Sequence, residues 1–147
     1  MLIRPYKDSD WDEWLRMNQA LFPGFSVEED GDEMRSTIAR TDAEVFVIER
    51  PDGKTLAGFV EVGTRSVVDG CLSSPVGYIE AWYVDPDMRK TGYGRRLLDR
   101  AEKWALAQGY TEMGSDALLE NDVSHAAHRK CGYIEVDKVI NYRKSLR

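Results

Sequence analysis

Cysteine is scarce: Cys71 and Cys131 are the only two, too far apart for a disulfide framework or a metal-ligand spacing. No run of about 18 apolar residues is present, so the chain offers no membrane-spanning helix. The opening Met1-Leu2-Ile3-Arg4-Pro5 lacks the apolar stretch of a secretory leader, and a cytoplasmic location is the expectation. Linkers, internal repeats and low-complexity tracts are missing too. His125 and His128 share a helix face but have no third ligand at metal spacing, which excludes a zinc site. Positive charge is in deficit: 20 Lys and Arg against 26 Asp and Glu give a net charge of −6. That balance counts against nucleic acid and for a cationic ligand, although many proteins are this acidic for solubility alone. What remains is ordinary globular material, 147 residues with 42% hydrophobic and 31% charged, enough for one compact domain spanning residues 1–147.

That domain is organised around the stretch from Tyr78 to Leu98. Tyr78 to Val84 is an aromatic, β-branched run broken by one carboxylate, Glu80, and reads as a mostly buried strand. Asp85-Pro86 stops it. Arg89-Lys90-Thr91-Gly92-Tyr93-Gly94 follows, and then apolar residues at helical spacing: Leu97, Leu98, Ala101, Trp104 and Ala105. A strand, a basic glycine-bearing loop and a helix in that order aim backbone N–H groups and the positive end of a helix dipole at one spot, which suits a phosphate. The pattern is neither a P-loop nor a dinucleotide fingerprint.

Ahead of this stretch, Leu2 to Arg4 reads as an edge strand. Asp8-Ser9-Asp10 caps a helix carrying Trp11, Trp14 and Leu15, and a turn at 21–26 displays Phe22 and Phe25. Glu28 to Glu33 is an acidic cluster opening a second helix with Met34, Ile38 and Ala39. It either complements the helix dipole or forms a lip that collects a polycation. Ala43 to Ile48 and Leu56 to Arg65 are strands joined at Pro51-Asp52-Gly53-Lys54, with Gly58 marking a bulge. After the central helix, ended by Gly109, come a strand at Thr111 to Asp116 and a helix at Asn121 to Lys130. Tyr133 to Val136 and Val139 to Arg143 read as paired terminal strands.

Val84, Pro86, Arg89, Gly92 and Gly94 reproduce the Val-x-Pro-x-x-Arg-x-x-Gly-x-Gly pyrophosphate motif of the GNAT superfamily of N-acetyltransferases, at the same spacing. Asn121, Ser124 and Gly132-Tyr133 resemble its second element. The resemblance covers essentially the whole chain. It implies an α/β fold with a mixed, mostly antiparallel sheet, a V-shaped splay between strands 4 and 5, and about four flanking helices. The pantetheine arm of acetyl-CoA, a co-substrate, would slot into the splay against the backbone of Trp82, Tyr83 and Val84. Arg89, Lys90, Thr91, Gly92, Tyr93 and Gly94 would hold the pyrophosphate, with Asn121 on the other side of the arm. No metal is implied.

Within the superfamily the chain looks most like the aminoglycoside 6′-N-acetyltransferases. The features are Leu21-Phe22-Pro23-Gly24, Gly70-Cys71 and Ser73-Ser74-Pro75, then Glu80, Ser115-Asp116 and Asn121. The likeness implies drug contacts at Phe22, Phe25, Val67, Glu80, Asp116 and Asp137, and direct attack of the 6′-amine on acetyl-CoA in a ternary complex. Phe22, Phe25 and Val67 stand where relatives usually carry Trp, His and Tyr, which leaves recognition to the carboxylates. Glu80, Asp116 and His128 are the catalytic candidates. Glu80 would accept the amine's proton through a water, Asp116 would face the reacting ring, and His128 would either protonate the departing thiolate or pack on the cofactor. The blander readings are that Arg65 merely neutralises Glu80 and that Asp116 is a turn-former. A polyamine or protein-amine acetyltransferase and a catalytically silent acyl-CoA-binding module remain open alternatives. The resemblance further implies a homodimer through C-terminal strands.

Overall fold

A computed structural model describes residues 1–147. In chain order it contains β1 (Leu2–Pro5), α1 (Trp11–Leu21), α2 (Val27–Ala39), β2 (Ala43–Glu49), β3 (Leu56–Arg65), β4 (Val76–Val84), α3 (Tyr93–Ala107), β5 (Met113–Ser115) and α4 (Asp122–Lys130). Short 3₁₀ turns precede α1 at Asp8–Asp10 and follow β4 at Pro86–Met88. The helix starts are set locally. Ser26 Oγ accepts from the Glu29 N–H at 3.1 Å while the Glu29 carboxylate accepts from the Ser26 N–H at 3.0 Å, a reciprocal cap for α2. Asp8-Ser9-Asp10 departs from the expected cap. It folds as a turn of its own, and the Asp10 carboxylate goes to the Arg4 guanidinium (2.7 and 2.9 Å) and the Lys7 N–H.

The five strands form one sheet in the order β1-β2-β3-β4-β5. All neighbours are antiparallel except β4 and β5, which run parallel. Alternation along the central strands builds two cores. Phe46, Ile48, Val60, Val62 and Ile79 meet Leu97, Leu98 and Ala101 of α3 on one face. Val45, Val47, Phe59 and Ala81 meet Trp14, Met17 and Met34 of α1 and α2 on the other. Leu97 is fully buried, so trimming it to alanine would cost about 2–5 kcal/mol. Ile48 pairs with Gly58 and Glu49 with Leu56, which makes Ala57, one residue before the expected Gly58, the extra residue of a bulge.

The expected terminal strands do not form. Residues 133–147 have no regular secondary structure, and Ile134, Val136, Val139, Ile140, Tyr142 and Leu146 are exposed. A strand needs an edge to pair with, and β5 is only three residues long. Val136 nevertheless leans on the loop after β3, where its side chain fills the space a Cβ on Gly70 would take.

Candidate active site

β4 and β5 pair only at Gly77↔Met113, Tyr78↔Gly114 and Ile79↔Ser115, and then they part. Trp82, Tyr83 and Val84 keep Val60, Phe59 and Gly58 of β3 on one side. Their other edge faces the opening with N–H and C=O groups that no strand satisfies, which an extended amide chain can pair with by adding itself as a strand. The arm ends at buried Asp85, whose carboxylate accepts from both Arg16 and Arg50 at 3.0 Å. Burial pushes this carboxyl up, but the guanidinium of Arg16 and then that of Arg50 outweigh it and hold it below the usual range. The clamp fixes where the next loop begins.

In that loop Arg89 Nε donates to the Val84 carbonyl at 2.9 Å, and Thr91 Oγ1 donates to the Met88 carbonyl at 2.5 Å. Lys90 (φ +61°) and Gly92 (φ +88°) are both left-handed. Such a turn leaves its N–H groups on a concave side suited to an anion. Gly92 is also the N-cap of α3, a conformation costly for any residue with a Cβ. The first N–H to close the helix is that of Arg96, onto the Gly92 carbonyl at 3.1 Å, so those ahead of it point outward with the dipole's positive end. With Arg89, Lys90, Arg95 and Arg96 exposed around them, these groups fit a pyrophosphate. A Cβ on Gly94 would meet protein atoms only at 3.5 Å or more, so packing inside the chain does not require a glycine there.

Where β4 leaves β5, a cavity of about 400 Å³ opens, lined by Phe22 and Phe25, by Glu29, Asp30, Glu33, Glu61 and Glu80, and by Asn18, Met34 and Ala81. The two phenylalanines stand edge to face with centroids 6.4 Å apart. Glu61 and Val62 of β3 oppose Ala81 and Ile79 of β4, so Glu80 is the extra residue of a second bulge, a device that re-aims a side chain. Both Glu80 oxygens accept from Arg65, at 2.9 and 2.8 Å. The same guanidinium lies 3.6 Å over the Tyr78 ring, and the Tyr78 hydroxyl donates to Asp116 at 2.5 Å. Burial and then Asp116 raise the Tyr78 hydroxyl well above its usual range, so it stays protonated and donates. Glu80 and Asp116 are thus joined through Arg65 and Tyr78. Glu61 has no cationic partner; its carboxyl is pushed up to about 7, by burial first and then by Glu80.

The far side of the opening is α4. The Asn121 side-chain oxygen accepts from the Ser124 N–H at 3.1 Å, a helix cap that leaves its amide NH₂ free to donate. At the other end Gly132 (φ +88°) ends the helix: its N–H goes to the Arg129 carbonyl, and the Tyr133 N–H goes to the His128 carbonyl at 3.0 Å. This ending seats the Tyr133 ring on His128, with centroids 5.7 Å apart, which is the physical reason for a Gly-aromatic pair at this place. His128 also stands edge-on to Trp82 at 5.5 Å, and its Nε2 is 2.8 Å from Ser115 Oγ.

The sequence-marked residues therefore fall into connected groups. Phe22, Phe25 and Glu80 share the acidic cavity, and Asp116 joins them through Tyr78. Trp82, Tyr83 and Val84 form the β4 side of the splay and lead into the 89–94 loop, His128 meets Trp82 from α4, and Asn121 caps the start of that helix. Val67, 81% exposed, and Asp137, whose carboxylate accepts from the Lys138 N–H, line neither. Glu61 escapes a sequence reading because Val60-Glu61-Val62 looks like ordinary strand alternation with a solvated outer face; that both faces of β3 are covered, by α3 on one side and by α1 and α2 on the other, appears only in the fold. No group of three or more His, Cys, Asp or Glu stands where it could hold a metal.

Residues 11–133 match the family model described as the acetyltransferase (GNAT) family. The chain is 38% identical over 149 residues to the aminoglycoside N(6′)-acetyltransferase type 1 of Klebsiella aerogenes, covering 99% of this chain and 97% of that one. It is 36% identical over 145 residues to the protein of the same name from Stenotrophomonas maltophilia, with 98% and 93% covered. Among solved structures, the apo aminoglycoside antibiotic 6′-N-acetyltransferase AAC(6′)-IG of Acinetobacter haemolyticus superposes with a TM-score of 0.93 at 32% identity, over 100% of both chains. AAC(6′)-Iy bound to the bisubstrate analogue CoA-S-monomethyl-acetylneamine superposes with a TM-score of 0.90 at 28% identity, over 98% of this chain and 97% of that one. A matched pyrophosphate loop, a splayed β4–β5 pair and these likenesses together place the chain in the acetyltransferase (GNAT) family.

Proposed function

We propose that this protein is an aminoglycoside 6′-N-acetyltransferase that confers antibiotic resistance and works in the cytoplasm. The observation that carries the reading is the acidic, aromatic-lined cavity meeting the open edge of β4 at the Glu80 bulge. An aminoglycoside is a polycation with apolar ring faces, and both of its surfaces have a counterpart there. The names of the relatives support the same substrate class. The splay and the 89–94 loop hold acetyl-CoA, whose thioester supplies an activated acetyl group. Glu80, fixed by Arg65, and Asp116, fixed by Tyr78, hold the sugar's ammonium groups and orient the reacting one. The attacking amine must be neutral, so its proton has to leave before or during attack. A backbone N–H in the Tyr83 region is suited to receive the developing oxyanion.

The protein works as a homodimer in this proposal. Support comes from the exposed apolar residues of the segment after Tyr133, which a strand edge of a second copy would pair and cover. Pairing there would also carry Val67 and Asp137 toward a site neither reaches within one chain. The substrate reading is tested by thiol release from acetyl-CoA. Kanamycin, which carries a 6′-amine, is expected to be acetylated, and paromomycin, with a hydroxyl at that carbon, is not. Equal turnover of both would shift the target to another amine. Turnover of spermidine or a peptide amine in place of kanamycin would establish a different acceptor.

A further inference from the structure

Of the three catalytic candidates, two are already engaged. Both oxygens of Glu80 are taken by Arg65, and Asp116 accepts from Tyr78. His128 is held differently. Its Nδ1 lies 2.7 Å from the carbonyl oxygen of Ser124, an atom that can only accept, so Nδ1 carries the hydrogen. In the neutral ring Nε2 is then bare, and the hydroxyl 2.8 Å away on Ser115 donates to it. Ser115 is the last residue of β5 paired with β4, opposite Ile79, which places this hydroxyl at the apex of the splay. Trp82 from the β4 arm and Tyr133 from the end of α4 wall the imidazole edge-on. Both Ser115 and His128 are half-buried. The titratable groups around them are Tyr133, whose hydroxyl donates to Glu102 of α3 at 3.0 Å, and Asp116, next to Ser115 in the chain.

From this arrangement we infer that Ser115 and His128 form a proton relay for acetyl transfer, with Ser115 as the group touching the reacting atoms and His128 as its positioning residue and proton store. As the N–C bond forms, the attacking nitrogen gives its proton to Ser115 Oγ, which passes its own to His128 Nε2. As the C–S bond breaks, the imidazolium returns a proton through Ser115 to the departing sulfur. Overall the acetyl group moves from sulfur to nitrogen and one proton moves from nitrogen to sulfur, with no other reactant. The relay rests on the substrate reading above, but its geometry does not.

The test combines kinetics with a measurement that needs no substrate. Ser115→Ala and His128→Gln are each expected to lower kcat with kanamycin about 10²-fold, with little change in the KM of acetyl-CoA. The double variant should fall no further, because the pair acts as one unit. Ser115→Thr, which keeps a hydroxyl, should recover most of the rate. Nitrogen chemical shifts of the His128 ring in the free protein should report the Nδ1–H tautomer. Wild-type kcat in either folded single variant, multiplied losses in the double, or an Nε2–H tautomer would each overturn the relay. Wild-type enzyme that leaves kanamycin untouched would instead sink the substrate reading, while the ring tautomer still decides the pair.

Discussion

At the scale of single residues, the acidic cavity holds carboxylates in different states. Asp30 is bonded by Gln19, Glu29 caps α2, and Glu80 is paired with Arg65. Glu61 forms no ion pair, and its carboxyl rises from 4.5 to about 7, through burial first and the nearby Glu80 second, which outweigh the opposing pull of Thr37 and Arg40. An acid whose folded-state value is raised binds its proton more tightly in the native protein. Its contribution to stability is therefore complete below the unfolded value and is lost as pH climbs through the folded one. Glu61→Gln cannot ionise and escapes this loss. Between about pH 5 and pH 8, wild-type stability is expected to fall relative to the variant by up to about 3 kcal/mol, read from urea unfolding. Saturating aminoglycoside should narrow the gap at high pH, because ammonium groups then offset the buried charge. A gap independent of pH would show that Glu61 ionises like an exposed glutamate.

At the scale of elements, the stretch from β4 through α3 was legible in the sequence, since strand, breaker, loop and helix each have a local cause. Proline ends β4, Gly92 supplies the left-handed N-cap, and Leu97, Leu98 and Ala101 keep one helical face. Gly92→Glu tests the loop: it places a carboxylate at the anion-facing helix start in a left-handed position. Strain should cost about 1–2 kcal/mol of stability. Calorimetry should show acetyl-CoA binding lost in the folded variant, and normal affinity would remove the loop from the cofactor site. The bulge at Glu80 was not legible, because it exists only in the register between β3 and β4. Nor was the Ser115–His128 contact, since residues from β5 and α4 meet only once the strands have parted. The terminal segment shows the opposite failure. Tyr133-Ile134-Glu135-Val136 has strand periodicity, but periodicity tells that a segment wants an edge and not which chain supplies it.

At the scale of the molecule, the negative balance of −6 and the cavity's carboxylates should draw a polycation in, so the KM for kanamycin should rise with ionic strength. Light scattering is expected to give a dimer for the full chain. Deleting residues 134–147 should give a monomer that still binds acetyl-CoA at the 89–94 loop but turns over kanamycin poorly. A monomeric 1–147 chain with full activity would place the whole site within one copy and leave Val67 and Asp137 as surface residues.

Trp82 bridges the parts that must cooperate. Its indole N–H donates to the Gly94 carbonyl at the head of α3, and its ring meets His128 edge-on. Of the four tryptophans, Trp14 lies in the core, edge-on to Trp11 and tilted against Tyr6, and Trp104 stands edge-on to Tyr110, so only Trp82 touches His128. The chain therefore carries a built-in optical reporter. Adding acetyl-CoA should change the tryptophan emission, and Trp82→Phe should silence that response while leaving the spectrum of the other three in place.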